Sequence, residues 1–195
     1  MIVLGCDASW TGWGWALAGP DGPVATGHFP NLGGKAWRWS ALNAALDELE
    51  PVLIEASLLA GERRPIVAVE LAPPVYAGRG NQAATGQGIG QIIGAIQAWA
   101  ERHPRLGYPW ALPPATWRDW WGLNGCRGGR PGYKRAAIAT CEARGWRAHL
   151  EPFSADGEDY GARGDVAEAT LLAVGCANHP EAAPRGPSHP RRPNA

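Results

Sequence analysis

The sequence predicts one α/β domain built on a five-stranded mixed sheet flanked by helices. Three short strand-forming stretches separated by glycine turns open the chain, and two more apolar runs follow, each after a stretch of helical periodicity. A length of 195 residues and a hydrophobic content of 45% suffice for one full core. We expect residues 1–178 to form this domain and residues 179–195, which lack periodicity, to be a disordered tail.

The first predicted strand spans residues 2–7 and ends on Asp7. Glycine turns connect it to a second strand within residues 8–18 and to a third over residues 23–29, which together predict an antiparallel meander. An ionised carboxylate in a buried strand is costly unless a cation compensates it, whereas several carboxylates around a divalent metal are stable. Asp7 therefore predicts a site with further charged partners.

Residues 35–60 have apolar side chains at helical spacing, with Pro51 predicting a break or restart. Residues 66–70 follow as a short buried strand, which ends on Glu70. Asp7 and Glu70 therefore occupy equivalent places at the ends of two buried strands, which is where an open α/β sheet builds its sites.

Asn81 is a candidate N-cap of a long helix that extends to residue 102. Residues 108–112, which contain a proline, predict a fifth strand at the edge of the sheet. Four glycines leave one side of the long helix nearly bare and predict the close approach of another backbone, either the sheet or a second subunit: Gly86, Gly88, Gly90 and Gly94.

Residues 113–121 predict a short helix that places Arg118 near the strand ends. The glycine-rich segment 122–132, with Arg127 and Arg130, predicts a mobile loop. A helix over residues 133–144 and a minor strand over residues 146–150 follow. Lys134 lacks the flanking residues of a P-loop, so the segment does not predict that kind of phosphate site.

The last predicted helix, residues 164–174, carries Asp165 and Glu168 on one face of its first turn. The residues alone leave two interpretations open. The two acids either join Asp7 and Glu70 in one site, or they interact with the helix dipole, which is worth at most about 1 kcal/mol.

The net charge of zero conceals a basic middle of the chain. Residues 102–147 contain nine Lys and Arg against two acids, a net charge of +7, while the parts on either side are acidic. Carboxylates that bind metal and cations that attract phosphate are what a nuclease requires. The alternative interpretation is a solvated basic surface without a partner.

The four cysteines and five histidines show no zinc-ligand spacing, so we expect free thiols. The sequence shows neither the pattern of a secretory leader nor an apolar run that approaches the roughly 18 residues of a membrane helix. We therefore expect a cytoplasmic protein without membrane contact.

Four motifs occur in order over roughly residues 1–178. They are G-x-D-x-S ending at Ser9, V-x-V-E ending at Glu70, G-Q-x-x-G ending at Gly90, and D-x-A-E-A starting at Asp165. In this order they resemble the RuvC family of Holliday-junction resolvases. The resemblance implies a ribonuclease-H-like fold, a homodimer, and a crossover junction endodeoxyribonuclease that acts on branched DNA such as the four-way junction.

By position, the resemblance also assigns metal ligands. Family members use four carboxylates to hold two Mg²⁺ ions, which Mn²⁺ can replace. They more often carry aspartate at the last of the four positions, so Glu168 departs from the pattern. The carboxylates that match here are Asp7, Glu70, Asp165 and Glu168.

Family members carry basic residues near the site and an aromatic residue that wedges the junction. Lys134 matches one basic position and is a candidate catalytic residue. Tyr76 stands in for the aromatic residue, which family members place closer to the strand acid. The candidate nucleic-acid contacts are Arg118, Arg127, Arg130, Lys134, Arg135 and Tyr76.

Two bound metal ions stabilise the attacking water and the leaving 3′ oxygen of phosphodiester hydrolysis, so this chemistry needs no Ser or His nucleophile. Trp117, Trp120 and Trp121 predict either core packing or stacking on unpaired bases. Three other functions stay open: a related nuclease that acts on general branched DNA or RNA, a non-catalytic junction-binding protein, and an ATP-binding protein of the actin and sugar-kinase type, which usually needs a longer chain.

Overall fold

The structure is a computed structural model that describes residues 1–8, 12–30, 39–59, 61, 65–71, 80–103, 106, 109–153 and 160–182. The strands are β1 (Val3–Ala8), β2 (Gly12–Gly19), β3 (Gly22–Pro30), β4 (Ile66–Glu70) and β5 (Trp110–Leu112). The helices are α1 (Trp39–Leu59), α2 (Gly80–Arg102), α3 (Pro114–Trp120), α4 (Gly129–Ala143) and α5 (Gly161–Asn178), with short 3-10 helices at Arg147–His149 and Pro180–Ala182.

The five strands form one mixed sheet in the order β3-β2-β1-β4-β5. β1, β2 and β3 pair antiparallel, as the meander prediction requires, whereas β4 pairs parallel with both β1 and β5. Cys6 pairs with Val69 in the parallel ladder. The carboxylates that follow these two residues, Asp7 and Glu70, therefore lie side by side at the C-terminal ends of their strands. The structure thus confirms the predicted α/β fold with a five-stranded mixed sheet flanked by helices.

The two faces of the sheet carry separate hydrophobic clusters, because successive side chains of a strand point to opposite faces. On one face, α1 and α2 pack against the side chains of Leu4, Trp13, Leu17 and Val67. On the other face, α5 lies along the middle of the sheet, and α3 and α4 contribute to the same cluster. None of the described helices is long and apolar enough to cross a membrane.

Two glycines let α5 lie directly on the sheet. A Cβ at Gly5 would lie 2.5 Å from the carbonyl oxygen of Ala169, and one at Gly14 would overlap the backbone of Asp165. Only a residue without a side chain permits this approach. The α5 backbone therefore sits on the β1-β2 pair, with Asp165 above Gly14.

Two predicted elements are wrong. α1 continues through Pro51, because both Pro51 and Asp47, whose carbonyl loses its helical partner at a proline, are exposed to water. Residues 146–150 contain the 3-10 helix Arg147–His149 instead of a strand. His149 is held beside β3 by a hydrogen bond from the Thr26 hydroxyl to its carbonyl (2.8 Å), so no backbone ladder is needed there.

Several boundaries also differ from the prediction. α2 begins at Gly80, one residue before the expected N-cap Asn81. α4 begins at Gly129 after Gly128, whose φ of 97° suits glycine, so the expected loop over residues 122–132 is shorter. α5 extends from Gly161 to Asn178, beyond the predicted 164–174. Residues 180–182 add a 3-10 helix at the start of the segment expected to be a tail, and residues 183–195 lie outside the described part.

The glycines of α2 do not contact the sheet where the structure describes their surroundings. A Cβ at Gly90 or Gly94 would meet no described atom within 4 Å, so both positions face open space. The expectation that the sheet approaches closely is wrong at Gly90 and Gly94, and the surroundings of Gly86 and Gly88 lie outside what the structure describes. The alternative, a second subunit, stays a prediction.

Candidate active site

The site begins at the edge where β1 and β4 end. Asp7 pairs with Gly14 of β2, and Gly14 pairs with His28 of β3, so these residues form a row across three antiparallel strands. Glu70 lies next in this row, one residue beyond Val69, the partner of Cys6. Residues that pair directly across strands point to the same face, here the face covered by α5.

α5 brings the second pair of carboxylates to this row. Asp165 and Glu168 are 3% and 4% exposed, and Asp7 is 7% exposed, so all three acids are buried. Glu70 has a side chain that is 14% exposed. The structure therefore brings together the four carboxylates that the sequence singled out, although their role as ligands stays a prediction.

Two cations bind these carboxylates from α3 and α4. The Lys134 ammonium, itself 2% exposed, donates to Oδ1 of Asp165. The Arg118 guanidinium donates to Oε1 of Glu168 at 3.0 Å and lies 3.7 Å from Oε1 of Glu70. Arg118 also lies over two aromatic rings, 5.1 Å from the Trp117 centroid and 4.4 Å from that of Tyr133.

Two ring N–H donors complete the contacts, and sequence reasoning missed both. The Trp117 indole N–H donates to Oε2 of Glu70 at 2.8 Å. The Nε2 of His28 lies 3.1 Å from Oδ2 of Asp165, and its N–H donates because an ionised carboxylate can only accept. The sequence signal for His28 was its place in the third strand of the meander, which indicates its face only once the register is known.

The three tryptophans in and just after α3 pack against other parts of the protein. Trp117 is fully buried, so the interpretation as core is confirmed and stacking of its ring on DNA bases is wrong. Trp121 donates from its indole to the carbonyl of Leu171 at 3.0 Å and packs edge-on against Trp146. Trp120 stacks on His179 with centroids 4.7 Å apart.

Burial and mutual repulsion raise the pKa values of three acids. Burial is the largest cause for each of them; repulsion from Asp165 adds to it at Asp7, and repulsion from both Asp7 and Glu70 adds to it at Glu168. The pKa of Glu70 rises from 4.5 to about 8, because burial and the charge of Asp7 outweigh Arg118 and the Trp117 hydrogen bond.

Asp165 and Lys134 behave as an ion pair. Burial acts to raise the pKa of Asp165, but the hydrogen bond from His28 and the charge of Lys134 outweigh it, and the pKa is lowered. Burial acts to lower the pKa of Lys134, and the charges of Asp7 and Asp165 outweigh it, so the pKa is raised. Asp165 is therefore ionised and Lys134 protonated at neutral pH.

The chemistry of this cluster fits a divalent cation. Oδ2 of Asp7 is buried and has no hydrogen-bond partner among the described residues. When ionised, the four carboxylates outnumber the buried Lys134 and the half-buried Arg118, and a divalent cation would neutralise the excess negative charge. As the side chains stand, however, no three His, Cys, Asp or Glu residues of the described part are arranged to hold a metal ion.

The other predicted DNA contacts lie around the start of α4. Arg127 and Arg130 are exposed, and the charge of Arg130 lowers the pKa values of Asp7 and Glu70, which places it near the site. Arg135 donates to the Tyr160 hydroxyl at 2.7 Å, so it faces the start of α5. Tyr76 lies outside the described residues.

The sheet order, the antiparallel meander followed by parallel strands, and the helix that carries acids across its face define a ribonuclease-H-like fold. No family model and no curated protein sequence matches the chain. Solved structures do match. RuvC of Thermus thermophilus is 13% identical with a TM-score of 0.55, and the match covers 93% of this chain and 96% of RuvC.

Two further structures have the same kind of similarity. RuvC of Thermus thermophilus in complex with a Holliday junction substrate is 12% identical with a TM-score of 0.52, covering 93% of this chain and 95% of RuvC. The yeast mitochondrial Holliday junction resolvase is 10% identical with a TM-score of 0.49, covering 92% of this chain and 79% of that one. The two matches to RuvC thus show that the chain has the RuvC fold. At this low sequence identity they show the fold and no shared activity.

Proposed function

We propose that this protein is a metal-dependent nuclease that resolves Holliday junctions, a crossover junction endodeoxyribonuclease. The observation that carries the proposal is the cluster of four carboxylates at the ends of β1 and β4, with an unpartnered oxygen on Asp7, in a fold shared with RuvC along 93% of the chain. A buried cluster of this charge is costly for the protein unless a cation is bound.

In this proposal the four carboxylates hold Mg²⁺, two ions per site, and Mn²⁺ can replace them: Asp7, Glu70, Asp165 and Glu168. When bound, the metal activates water and stabilises charge on the attacking and leaving oxygens of a phosphodiester. These carboxylates are hard oxygen ligands of the kind that Mg²⁺ prefers. The raised pKa values of Asp7, Glu70 and Glu168 support release of protons from these three acids when metal binds.

In this proposal the cations of the site have two roles: they hold the carboxylates in place, and they favour binding of the substrate phosphate. Lys134 and Arg118 hold Asp165 and Glu168 in place, and the Arg118 guanidinium lies over the rings of Trp117 and Tyr133. Their positive charge also lowers the repulsion between the carboxylates and an incoming phosphate.

The exposed arginines near the start of α4 extend this attraction outward. Arg130, on the surface near the site, and the exposed Arg127, two residues before α4, would contact phosphates without reading sequence. Selection for a substrate would then depend on shape. The similarity to RuvC, whose structure has been determined in complex with a Holliday junction substrate, supports a four-armed branched DNA as the substrate.

One experiment tests the reaction and its substrate together. Labelled four-way junction, three-way junction, fork, RNA–DNA hybrid and duplex are incubated with the protein at one salt concentration, with Mg²⁺ or Mn²⁺ and with EDTA. We expect symmetric pairs of nicks in the four-way junction that can be religated, and no cleavage in EDTA.

The variant Asp7→Asn should abolish cleavage without weakening DNA binding, because it removes a metal ligand and one negative charge near the phosphate. Asp47→Asn, an exposed acid on α1, is the matched control and should cleave normally. Cleavage of the hybrid alone would contradict the resolvase assignment, and cleavage in EDTA would contradict the metal site.

A further inference from the structure

His28 belongs to none of the motifs that carry the resemblance, yet it contacts the site. It lies on β3, the edge strand farthest from Glu70, and pairs with Gly14 in the row that leads to Asp7. Its Nε2 is 3.1 Å from Oδ2 of Asp165, and its side chain is 13% exposed. β3 therefore reaches the carboxylate cluster through one imidazole ring.

The neighbouring strand is shaped to admit this ring. Gly12 and Gly14 lie two residues apart on β2, so they share a face. A Cβ at Gly12 would lie 2.6 Å from the His28 ring, and a Cβ at Gly14 would overlap the Asp165 backbone. The two glycines thus leave space for both partners of this hydrogen bond, and Trp13 between them packs in the opposite cluster.

Asp165 is held from two sides as a result. Lys134 from α4 occupies Oδ1, and His28 from β3 occupies Oδ2. A carboxylate with a donor on each oxygen cannot rotate without breaking one bond, and each oxygen still keeps a lone pair for another ligand. Hydrogen bonds of this kind orient metal ligands in proteins.

We propose that His28 is a positioning residue that orients the Asp165 carboxylate for divalent metal binding, with Mg²⁺ or Mn²⁺ as the ligand. The inference rests on the proposed function only in that the site binds a divalent metal. His28 acts through Asp165 and keeps its Nε2 proton when the metal is bound.

The first test is calorimetric titration of Mn²⁺ and Mg²⁺ into the full-length protein. His28→Leu removes the N–H but keeps a similar volume, whereas His28→Gln keeps an N–H donor. We expect His28→Leu to weaken metal binding by about 10- to 100-fold, the usual effect of losing such a hydrogen bond, and His28→Gln to stay close to the unsubstituted protein.

His103→Leu is the matched control. His103, the residue after α2, makes the same kind of contact, 2.9 Å from Oε1 of Glu50, on the opposite face of the sheet. Its loss should leave metal affinity unchanged. Equal metal affinity of His28→Leu and the unsubstituted protein would overturn the inference and leave the nuclease proposal intact, whereas no metal binding by the unsubstituted protein would overturn the nuclease proposal itself.

A second measurement needs no folded variant of His28→Leu. In the unsubstituted protein labelled with ¹⁵N-histidine, the Nε2 proton of His28 should give a slowly exchanging signal that persists when Mg²⁺ is added. The signal is assigned by its absence from His28→Gln. Loss of the Nε2 proton on Mg²⁺ binding would overturn the positioning role, because a nitrogen that ligates metal carries no proton.

Discussion

Asp7 and Asp165 lie in one cluster but have opposite surroundings. Asp165 receives hydrogen bonds from Lys134 and His28, whereas Oδ2 of Asp7 has no partner among the described residues. The pKa of Asp165 is lowered and that of Asp7 is raised, by burial first and by Asp165 second. The charge of Asp165 therefore stabilises the metal-free fold, and the charge of Asp7 destabilises it.

This difference predicts opposite effects of the same substitution. In EDTA at pH 7, Asp7→Asn should raise the melting temperature. Asp165→Asn should lower the free energy of unfolding by about 3 kcal/mol or more, because it leaves the Lys134 charge buried without its partner. Thermal and denaturant unfolding measure both. The same sign of change in the two variants would contradict this account of the cluster.

A second residue-scale prediction concerns the Trp117 indole. Trp117→Phe keeps the ring but removes the N–H that binds Oε2 of Glu70. Trp99 on α2 is the control, since it is equally buried and its indole N–H has no partner in the described part. In EDTA we expect Trp117→Phe to lose about 1–3 kcal/mol more stability than Trp99→Phe, the cost of an unsatisfied buried acceptor. Equal losses would show that this hydrogen bond contributes nothing.

At the scale of elements, the position of α5 on the β1-β2 pair decides where two of the acids lie. This position requires the close approach of the helix backbone at Gly5 and Gly14. A helix on a sheet normally packs through side chains, so the glycines bring the α5 backbone closer than usual. The positions of Asp165 and Glu168 in the site thus depend on where the glycines occur along β1 and β2.

Gly14→Ala tests this packing. Its Cβ would overlap the Asp165 backbone, so α5 must shift, and we expect a loss of about 1–3 kcal/mol from overpacking together with weaker Mn²⁺ binding. Gly19→Ala on the same strand is the control, since its Cβ would lie 3.7 Å from the side chain of Ile2, an ordinary contact. Denaturant unfolding and calorimetry measure the two effects. A Gly14→Ala protein as stable as Gly19→Ala would contradict the packing argument.

At the scale of the whole molecule, the charge of the site couples folding to pH. The pKa of Glu70 rises from 4.5 to about 8 on folding, mainly through burial and then through Asp7. Between these values the folded protein binds a proton that the unfolded chain has released, so stability falls as pH rises. Asp165, lowered from 3.8, and Lys134, raised from 10.5, titrate outside this window.

We therefore expect the melting temperature in EDTA to decrease from about pH 5 to pH 8, and millimolar Mg²⁺ to reduce this decrease, because the metal favours ionised carboxylates. Calorimetric scans at fixed ionic strength measure it. A melting temperature in EDTA that rises across this range would rule out the burial of unpaired carboxyl groups as the dominant effect.

The assembly is the second property of the whole molecule, and the bare side of α2 carries the prediction. Gly90 and Gly94 face open space in the single chain, so a second copy can approach there. Light scattering should give twice 20.7 kDa, and Gly94→Glu should give the monomer. Ala139→Glu, an exposed position on α4, is the control and should leave the dimer intact. A monomer at micromolar concentration, with or without junction DNA, would contradict the dimer.

The sequence by itself determined which segments form the five strands and which four acids end the strands or begin the last helix. These features are local patterns: two apolar strands end on Asp7 and Glu70, and one helix carries Asp165 and Glu168 three residues apart. They can be predicted because the periodicity of a strand or helix depends on residues that are close in the sequence. Local patterns misled at Pro51 and at residues 146–150, where exposure to water and contacts with β3 decided the conformation.

Tertiary structure alone decided which donor meets which acid. His28 is 137 positions from Asp165 and Trp117 is 47 from Glu70, so neither contact has a local signal. The register of β2 with β3 brings His28 into line with Asp7, and glycines on β2 admit both the ring and α5. Cross-strand register depends on the pairing of distant segments, and a shift of one residue would turn His28 to the opposite face.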